Sequence, residues 1–369
     1  MLDNEIKSVQ IAVSRKHMPA FMINFMVSYK CNLDCSYCTS HNNASKPLPL
    51  EQCLQTIDFI FQYTDLTLSV RPKYEQAASL NIIGGEPFTH PNIDTILEYA
   101  NTLYKSQYKD KWRLSVCLTT NGLAGNNLLK KCLPYVDKWT VSYHTETLPK
   151  QKDLVLQNIQ LLHETTSNFE VRVMAHPDKE KFDEAAAVHS SLVKQGIHAL
   201  MKPVTKVEYD KKQTHYLQSN WTRKNIDSTV NYNTTKGITC CSDKPLVLDN
   251  DRANTTNFIP MNNFEGWYCA LNWNFLYVNE LGKVYHNNTC YLSYNSNLEE
   301  PIGTIENAAE ILSRLKLQLD SKKVPVVVCT RSVCHGCGMC ATKAKTKEDF
   351  LKLMKFHLTD TSILDIRPQ

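Results

Sequence analysis

The 369-residue chain has no apolar run approaching the roughly 18 residues that a membrane span needs. Its opening segment, MLDNEIKSVQIAVSRK, has neither an apolar signal core nor a small-residue cleavage site. An excess of one charge is also missing: 41 Lys and Arg stand against 37 Asp and Glu, a net +4 spread along the chain. That balance offers no basic footprint for nucleic acid or an anionic membrane. Internal repeats and long low-complexity tracts are absent as well. These absences exclude secretion and membrane insertion as expectations and point to a cytoplasmic protein.

What is present is ordinary except in one respect. A content of 42% apolar and 21% charged residues suits one large globular domain, or a large one with a small companion. Cysteine is the exception, with fourteen residues. Without a secretory signal, a disulfide scaffold explains them poorly. Three fall in Cys31–Cys38 and four in Cys329–Cys340, with Cys269 and Cys290 between. Two clusters near opposite ends of the chain predict metal sites built by different parts of the fold.

From about residue 20 to 204, short apolar runs alternate with longer amphipathic ones. The runs PAFMINFMVSY, ASLNIIGG, WRLSVCLTTNG, KWTVSYHTE, FEVRVMAH and HALMKPV read as strands. Segments such as LEQCLQTIDFIFQYT, NIDTILEYANTLY and KDLVLQNIQLLHE have helical spacing. Six strand–helix units imply parallel strands joined by crossover helices, an α/β architecture. Functional groups in such folds gather at the C-terminal ends of the strands. Residues 206–263 are polar and rich in Asn and Thr, and read as a linker or insertion; the pair Cys240–Cys241 within it receives no role. NFLYVN and GKVYHN then flank Glu280-Leu281-Gly282 as a hairpin. A helix, the second cysteine cluster and a last helix over 346–369 complete the chain.

The first cluster, Cys31-x3-Cys35-x2-Cys38, follows the first strand. Three thiolates on one loop can hold three irons of a [4Fe–4S] cube and leave the fourth iron open to another ligand. A zinc loop or plain buried thiols remain alternatives on spacing alone.

The triplet, with Tyr37 before its last cysteine, resembles the signature of the radical S-adenosylmethionine (radical SAM) superfamily. Gly84-Gly85-Glu86-Pro87 ends the second strand, with Glu86 48 positions beyond Cys38, as that family's GGEP motif does. Thr119-Thr120-Asn121-Gly122 and Val141-Ser142-Tyr143-His144 end the third and fourth strands. The resemblance covers roughly residues 20–205, places the core domain at residues 1–205, and implies a partial (β/α)6 barrel with a small C-terminal α+β cluster-binding domain. It implies a [4Fe–4S] cluster on Cys31, Cys35 and Cys38, with S-adenosylmethionine at the open iron. One-electron reduction would give a 5′-deoxyadenosyl radical that abstracts hydrogen from substrate, with a flavodoxin or ferredoxin as electron donor. Gly84 and Gly85 would admit the methionyl amine and Glu86 would accept its hydrogen bond. Tyr37 lies where the family's backbone reads adenine. Thr119 or Thr120 and Ser142 offer hydroxyls to the carboxylate and ribose, and Arg172 is a further candidate for the carboxylate. His144 and Glu146, beyond Ser142, are candidates to position substrate or move a proton.

Residues 264–345 resemble the Twitch and SPASM extensions of that superfamily, with Cys269 before the hairpin, Gly282 in its turn, Cys290 after it and Cys334-x2-Cys337 later. The match is partial: seven residues separate Gly282 from Cys290, and the SPASM run C-x2-C-x5-C-x3-C is absent. Six cysteines suit one auxiliary [4Fe–4S] cluster, with Cys269, Cys290, Cys334 and Cys337 as ligands and Cys340 as the nearest substitute. Cys329, after an apolar run, reads as a buried strand end. A structural zinc ribbon on the same thiols is the alternative. Trp267, Tyr268 and Trp273 are expected to pack around a cluster, and His335 to be a loop residue. The expected function is hydrogen abstraction from an unknown substrate, either a peptide side chain or a small molecule. Only about 20 residues precede the first strand, too few for a fused winged helix that would bind a leader peptide. A non-catalytic, metal-stapled binding module is the rival from another class.

Overall fold

The computed structural model describes residues 21–38, 46–176, 178–204, 206–207, 215–216, 261–262, 266–286, 301–328, 334–335, 343–355 and 357–365. Six parallel strands run in chain order: β1 (Phe21–Ser28), β2 (Ala77–Gly84), β3 (Arg113–Thr120), β4 (Lys138–His144), β5 (Phe169–Ala175) and β6 (Ala199–Pro203). Between them lie the crossover helices α1 (Leu50–Ser69), α2 (Ile93–Gln107), α3 (Asn126–Cys132), α4 (Pro149–Thr165) and α5 (Lys179–Lys194). This is the α/β architecture that the strand–helix alternation implies, arranged as the partial barrel that the resemblance implies. None of the described helices is long and apolar enough to cross a membrane.

Strand alternation sorts the residues onto two faces. Phe21, Ile23, Phe25 and Val27 of β1 point to the helices, as do Leu80 and Ile82 of β2, Val116 and Leu118 of β3, and Val171 and Val173 of β5, and all join one apolar core. α1 meets that core with Cys53, Ile57, Ile60, Phe61 and Leu68, a spacing that keeps one helical face inward. The opposite face is polar across neighbouring strands. Asn24 is in register with Asn81, and Asn81 with Cys117. The Asn81 amide donates to Asn24 Oδ1 at 2.9 Å, and the Ser79 hydroxyl to Asn81 Oδ1 at 3.0 Å. Ser142 is in register with Arg172 on the same face.

The sheet does not stop with the six strands. The expected hairpin forms β7 (Phe275–Val278) and β8 (Lys283–Tyr285), with Gly282 in the turn at φ 69°. β7 pairs in parallel with β1, Met22 opposite Phe275 and Phe25 opposite Val278. β8 then pairs with β9 (Gly303–Thr304), so the order is β9-β8-β7-β1-β2-β3-β4-β5-β6. The hairpin, read from sequence as part of a second domain, thus extends the barrel sheet. α6 (Ala308–Asp320) packs on α1, and α7 (Lys347–Met354) anchors a smaller apolar cluster with Trp273, Val324 and Phe350.

Candidate active site at the strand ends

Residues 31–38 leave the end of β1 and are stitched to the end of β2. The Gly85 N–H donates to the Ser28 carbonyl at 2.9 Å, and the Glu86 N–H to the Lys30 carbonyl at 2.8 Å. The chains lie so close that a Cβ on Gly84 would stand 2.5 Å from the Ser28 oxygen. One on Gly85 would stand 2.5 and 2.6 Å from the Tyr29 and Lys30 oxygens. Real Cβ atoms do not approach backbone so closely. The two glycines therefore have a packing reason beside the cofactor-binding one read from sequence, since only they let the cysteine loop lie against the strand end.

Glu86 is buried and knits three strand ends together. Its Oε1 accepts from the Phe88 N–H at 3.0 Å and the Thr120 hydroxyl at 2.8 Å, and its Oε2 from the Asn121 N–H at 2.6 Å. Burial raises its pKa to about 7, against the pull of those bonds. A carboxylate has about four acceptor sites, so one remains for a ligand amine. The Thr120 hydroxyl is committed to Glu86 and also accepts from the Gly122 N–H at 3.0 Å. Asn121, which the sequence reading left without a role, donates to Asn32 Oδ1 at 2.7 Å and reaches Cys31 Sγ at 3.8 Å.

The second clamp comes from β4. Glu146 accepts from the Ser36 N–H at 2.7 Å and the Ser36 hydroxyl at 2.9 Å, and from Lys181 of α5 at 2.7 Å. Burial would raise its pKa, but the Lys181 and Ser36 bonds outweigh it and hold the carboxyl below its ordinary value. With His176 Nε2 also at 3.4 Å, Glu146 holds the cysteine loop. His144 Nδ1 lies 2.7 Å from the Tyr37 hydroxyl and 3.6 Å from Cys35 Sγ, and its ring stacks on Tyr37 at 6.0 Å between centroids. Burial pushes the His144 pKa down to about 4, against the opposing pull of Glu146, so the ring is neutral at pH 7. Lys181 and His176 were not legible as site residues, because nothing in their local sequence marks them, and Ser36, though inside the cysteine motif, was given no role.

Cys31, Cys35 and Cys38 share one cavity of about 180 Å³ with Gly84, Gly85, Glu86, Thr119, Thr120, Asn121, Ser142 and His144. Of the other residues nominated, Tyr37 and Glu146 are not in its lining and contact the cysteine loop instead, and Arg172 donates through Nε to Glu170 at 2.6 Å and does not line it either. Burial and the neighbouring Cys38 push the Cys35 thiol up to about 12, and burial raises Cys31 too. Three crowded thiols, of which Cys31 and Cys35 resist ionisation alone, fit a cationic iron–sulfur centre, which holds its ligands as thiolates. Among the described residues, no three His, Cys, Asp or Glu come together around a single ion.

The C-terminal thiols are seen in part. Cys269 is buried in a three-stranded ribbon, where Tyr268–Cys269 pairs antiparallel with Val327–Val328 and with Lys343–Ala344. Cys334 and His335 pair by backbone with Asn262 and Met261. Cys290, Cys329, Cys337 and Cys340, the Cys334 side chain, and Cys240 and Cys241 lie outside the described residues. Trp273 and Tyr268 pack against the α7 cluster, Tyr268 with its ring 5.9 Å from Phe350.

No protein-family model matches this sequence, and no curated protein does at a significant level. Solved structures do match. The chain is similar to hexahistidine-tagged anSMEcpe with bound AdoMet, at 13% identity over 94% of this chain and 100% of that one, with a TM-score of 0.55. It is also similar to native anSMEcpe with bound AdoMet and the Cp18Cys peptide, at 14% identity over 81% of each chain, with a TM-score of 0.52. SuiB of Streptococcus suis matches at 15% identity over 78% of this chain and 64% of its own, with a TM-score of 0.49. At these identities the likeness to anSMEcpe is one of fold.

Proposed function

We propose that this protein is a radical SAM enzyme that cleaves S-adenosylmethionine reductively and abstracts a hydrogen atom from its substrate. The observation that carries the reading is the single cavity shared by Cys31, Cys35 and Cys38 with Gly84–Glu86, Thr119–Asn121, Ser142 and His144. The three thiolates would hold a [4Fe–4S] cluster, and S-adenosylmethionine bound beside it would supply the 5′-deoxyadenosyl radical. Glu86 retains an acceptor site for the methionyl amine, and Ser142 offers a hydroxyl to the carboxylate or ribose. Thr120 acts through Glu86 by orienting its carboxylate. Glu146, with Ser36 and Lys181, fixes the cysteine loop, while neutral His144 and Tyr37 close its inner side.

A flavodoxin or ferredoxin is the proposed electron donor, and one auxiliary cluster on Cys269, Cys290, Cys334 and Cys337, or Cys340, the proposed second centre. The substrate is a peptide side chain or a small molecule, and anSMEcpe with its bound cysteine peptide supports the first. Anaerobic incubation of the iron-reconstituted protein with S-adenosylmethionine and dithionite tests the proposal. Formation of 5′-deoxyadenosine and methionine is expected. A loaded protein that forms neither is a binding module instead.

A further inference from the structure

Asn121, the residue that follows β3, makes bonds in two directions. Its backbone N–H donates to Glu86 Oε2 at 2.6 Å, while its side chain turns to the cysteine loop. The residue is 6% exposed, and its amide is oriented from behind, where Oδ1 accepts from the Leu123 N–H at 3.0 Å. With the oxygen held there, both Nδ2 hydrogens are available to the loop. Nδ2 donates to Asn32 Oδ1 at 2.7 Å and to Cys31 Sγ at 3.8 Å. Cys31 Sγ also accepts from the Leu33 N–H at 3.4 Å. One ligand sulfur thus has two N–H donors, one from its own loop and one from the end of β3.

A neutral thiol is a weak acceptor, so the Asn121 amide gains little from Cys31 in the metal-free chain. Beside a metal-bound thiolate the same N–H makes a charge-assisted bond. Hydrogen bonds to the sulfurs are among the determinants of an iron–sulfur potential. The reduced cluster carries one more negative charge than the oxidised one, so a donor stabilises it more and raises the potential.

We infer that Asn121 is a positioning residue that acts through the Cys31 sulfur, its side-chain N–H raising the reduction potential of a cluster on Cys31, Cys35 and Cys38. The inference rests on the cluster reading proposed above and adds to it a residue that sets how easily the cluster takes its electron. Through its backbone N–H the same residue holds the Glu86 carboxylate, so the cluster side and the amine side of the cavity share one anchor.

A potentiometric titration of the anaerobically reconstituted chain, followed by electron paramagnetic resonance without S-adenosylmethionine, tests the inference. The step belonging to the loop cluster is the one missing from the triple variant lacking Cys31, Cys35 and Cys38. Asn121→Asp keeps the side-chain shape and the acceptor for the Leu123 N–H, but loses the donor and adds a negative charge. Its reduced-to-oxidised ratio at a fixed potential should fall at least tenfold, about 59 mV for one electron. Asn121→Ala, without the added charge, should lower the ratio several-fold. Asn32→Ala, at an exposed position, frees the amide without opening the core and should give a smaller drop of the same sign. Thr89→Ala is the control for loop support alone. The Thr89 hydroxyl donates to the Lys30 carbonyl at 3.2 Å and has no sulfur among its described partners, so its removal should leave the potential at the wild-type value.

An unchanged potential in Asn121→Ala overturns this inference alone, as does an equal shift in Thr89→Ala. Where the Asn121 variants load no iron, Asn32→Ala decides: a lowered potential supports the inference and an unchanged one overturns it. A wild-type chain that takes up no iron on the loop overturns the cluster reading and this inference with it.

Discussion

The two thiol-bearing regions are built on opposite plans. At the strand ends, three cysteines lie on one short loop, and the fold's work is to clamp that loop through Gly84, Gly85 and Glu86 on one side and Glu146 on the other. In the C-terminal region the candidate ligands are scattered from Cys269 to Cys340 in sequence, and backbone pairing such as that of Tyr268–Cys269 with Val327–Val328 and Lys343–Ala344 would have to bring them together. A local ligand set needs support, whereas a dispersed one needs folding. Loss of a supporting residue should therefore weaken the first site by degrees, while loss of a ligand should destroy it.

The largest expected effect is that Cys31→Ala, Cys35→Ala or Cys38→Ala each abolishes 5′-deoxyadenosine formation, measured anaerobically with dithionite. Normal cleavage in any one of them would break the assignment of the loop. Next comes the metal count. The reconstituted chain should hold about eight irons and the triple variant about four, because the second set owes nothing to the loop. Zinc in place of those remaining irons would turn the second region into a structural ribbon.

Supporting residues should give graded losses. Gly85→Ala forces a methyl group against two backbone carbonyls, so a stability loss of about 2–4 kcal/mol is expected in denaturant unfolding. Glu86→Ala should weaken S-adenosylmethionine binding by about 1.5–3 kcal/mol while iron content is retained. An unchanged affinity would mean that the amine is held elsewhere. Glu146→Gln should cost on the order of 1 kcal/mol in the metal-free chain, since Ser36 keeps a neutral acceptor and the Lys181 pair is partly screened. That difference has a defined pH dependence. The Glu146 carboxyl is held below its ordinary value of 4.5, so its contribution is present above that pH and is lost as pH falls through the lower folded value. A gap between wild type and Glu146→Gln that stays constant from neutral to acid pH would remove the charge from the clamp.

The six strands were legible because each apolar run is short and bounded and the earlier ones are followed by helical patterns, and the observed strand ends fall within a few residues of the runs. Cys31 was legible from the C-x3-C-x2-C spacing, and Glu86, Ser142 and His144 from a resemblance whose motifs fall at the C-terminal ends of the strands. What local sequence could not carry was contact between distant segments. Lys181 reaches Glu146 from an unremarkable helical turn, and Asn121 reaches Asn32 across two strand ends. The collision awaiting a Cβ at Gly84 depends on Ser28, more than fifty residues earlier, and no local pattern encodes it.

The parallel pairing of β1 with β7 also bears on how the chain is made. Phe275 must reach Met22, so one edge of β1 lacks its sheet neighbour until a segment about 250 residues further along has been synthesised. Such a long closure is slow, and meanwhile that edge is a template for pairing with another nascent chain. Stopping synthesis before the hairpin would thus leave an adhesive intermediate, and co-translational chaperones would be needed most in that interval.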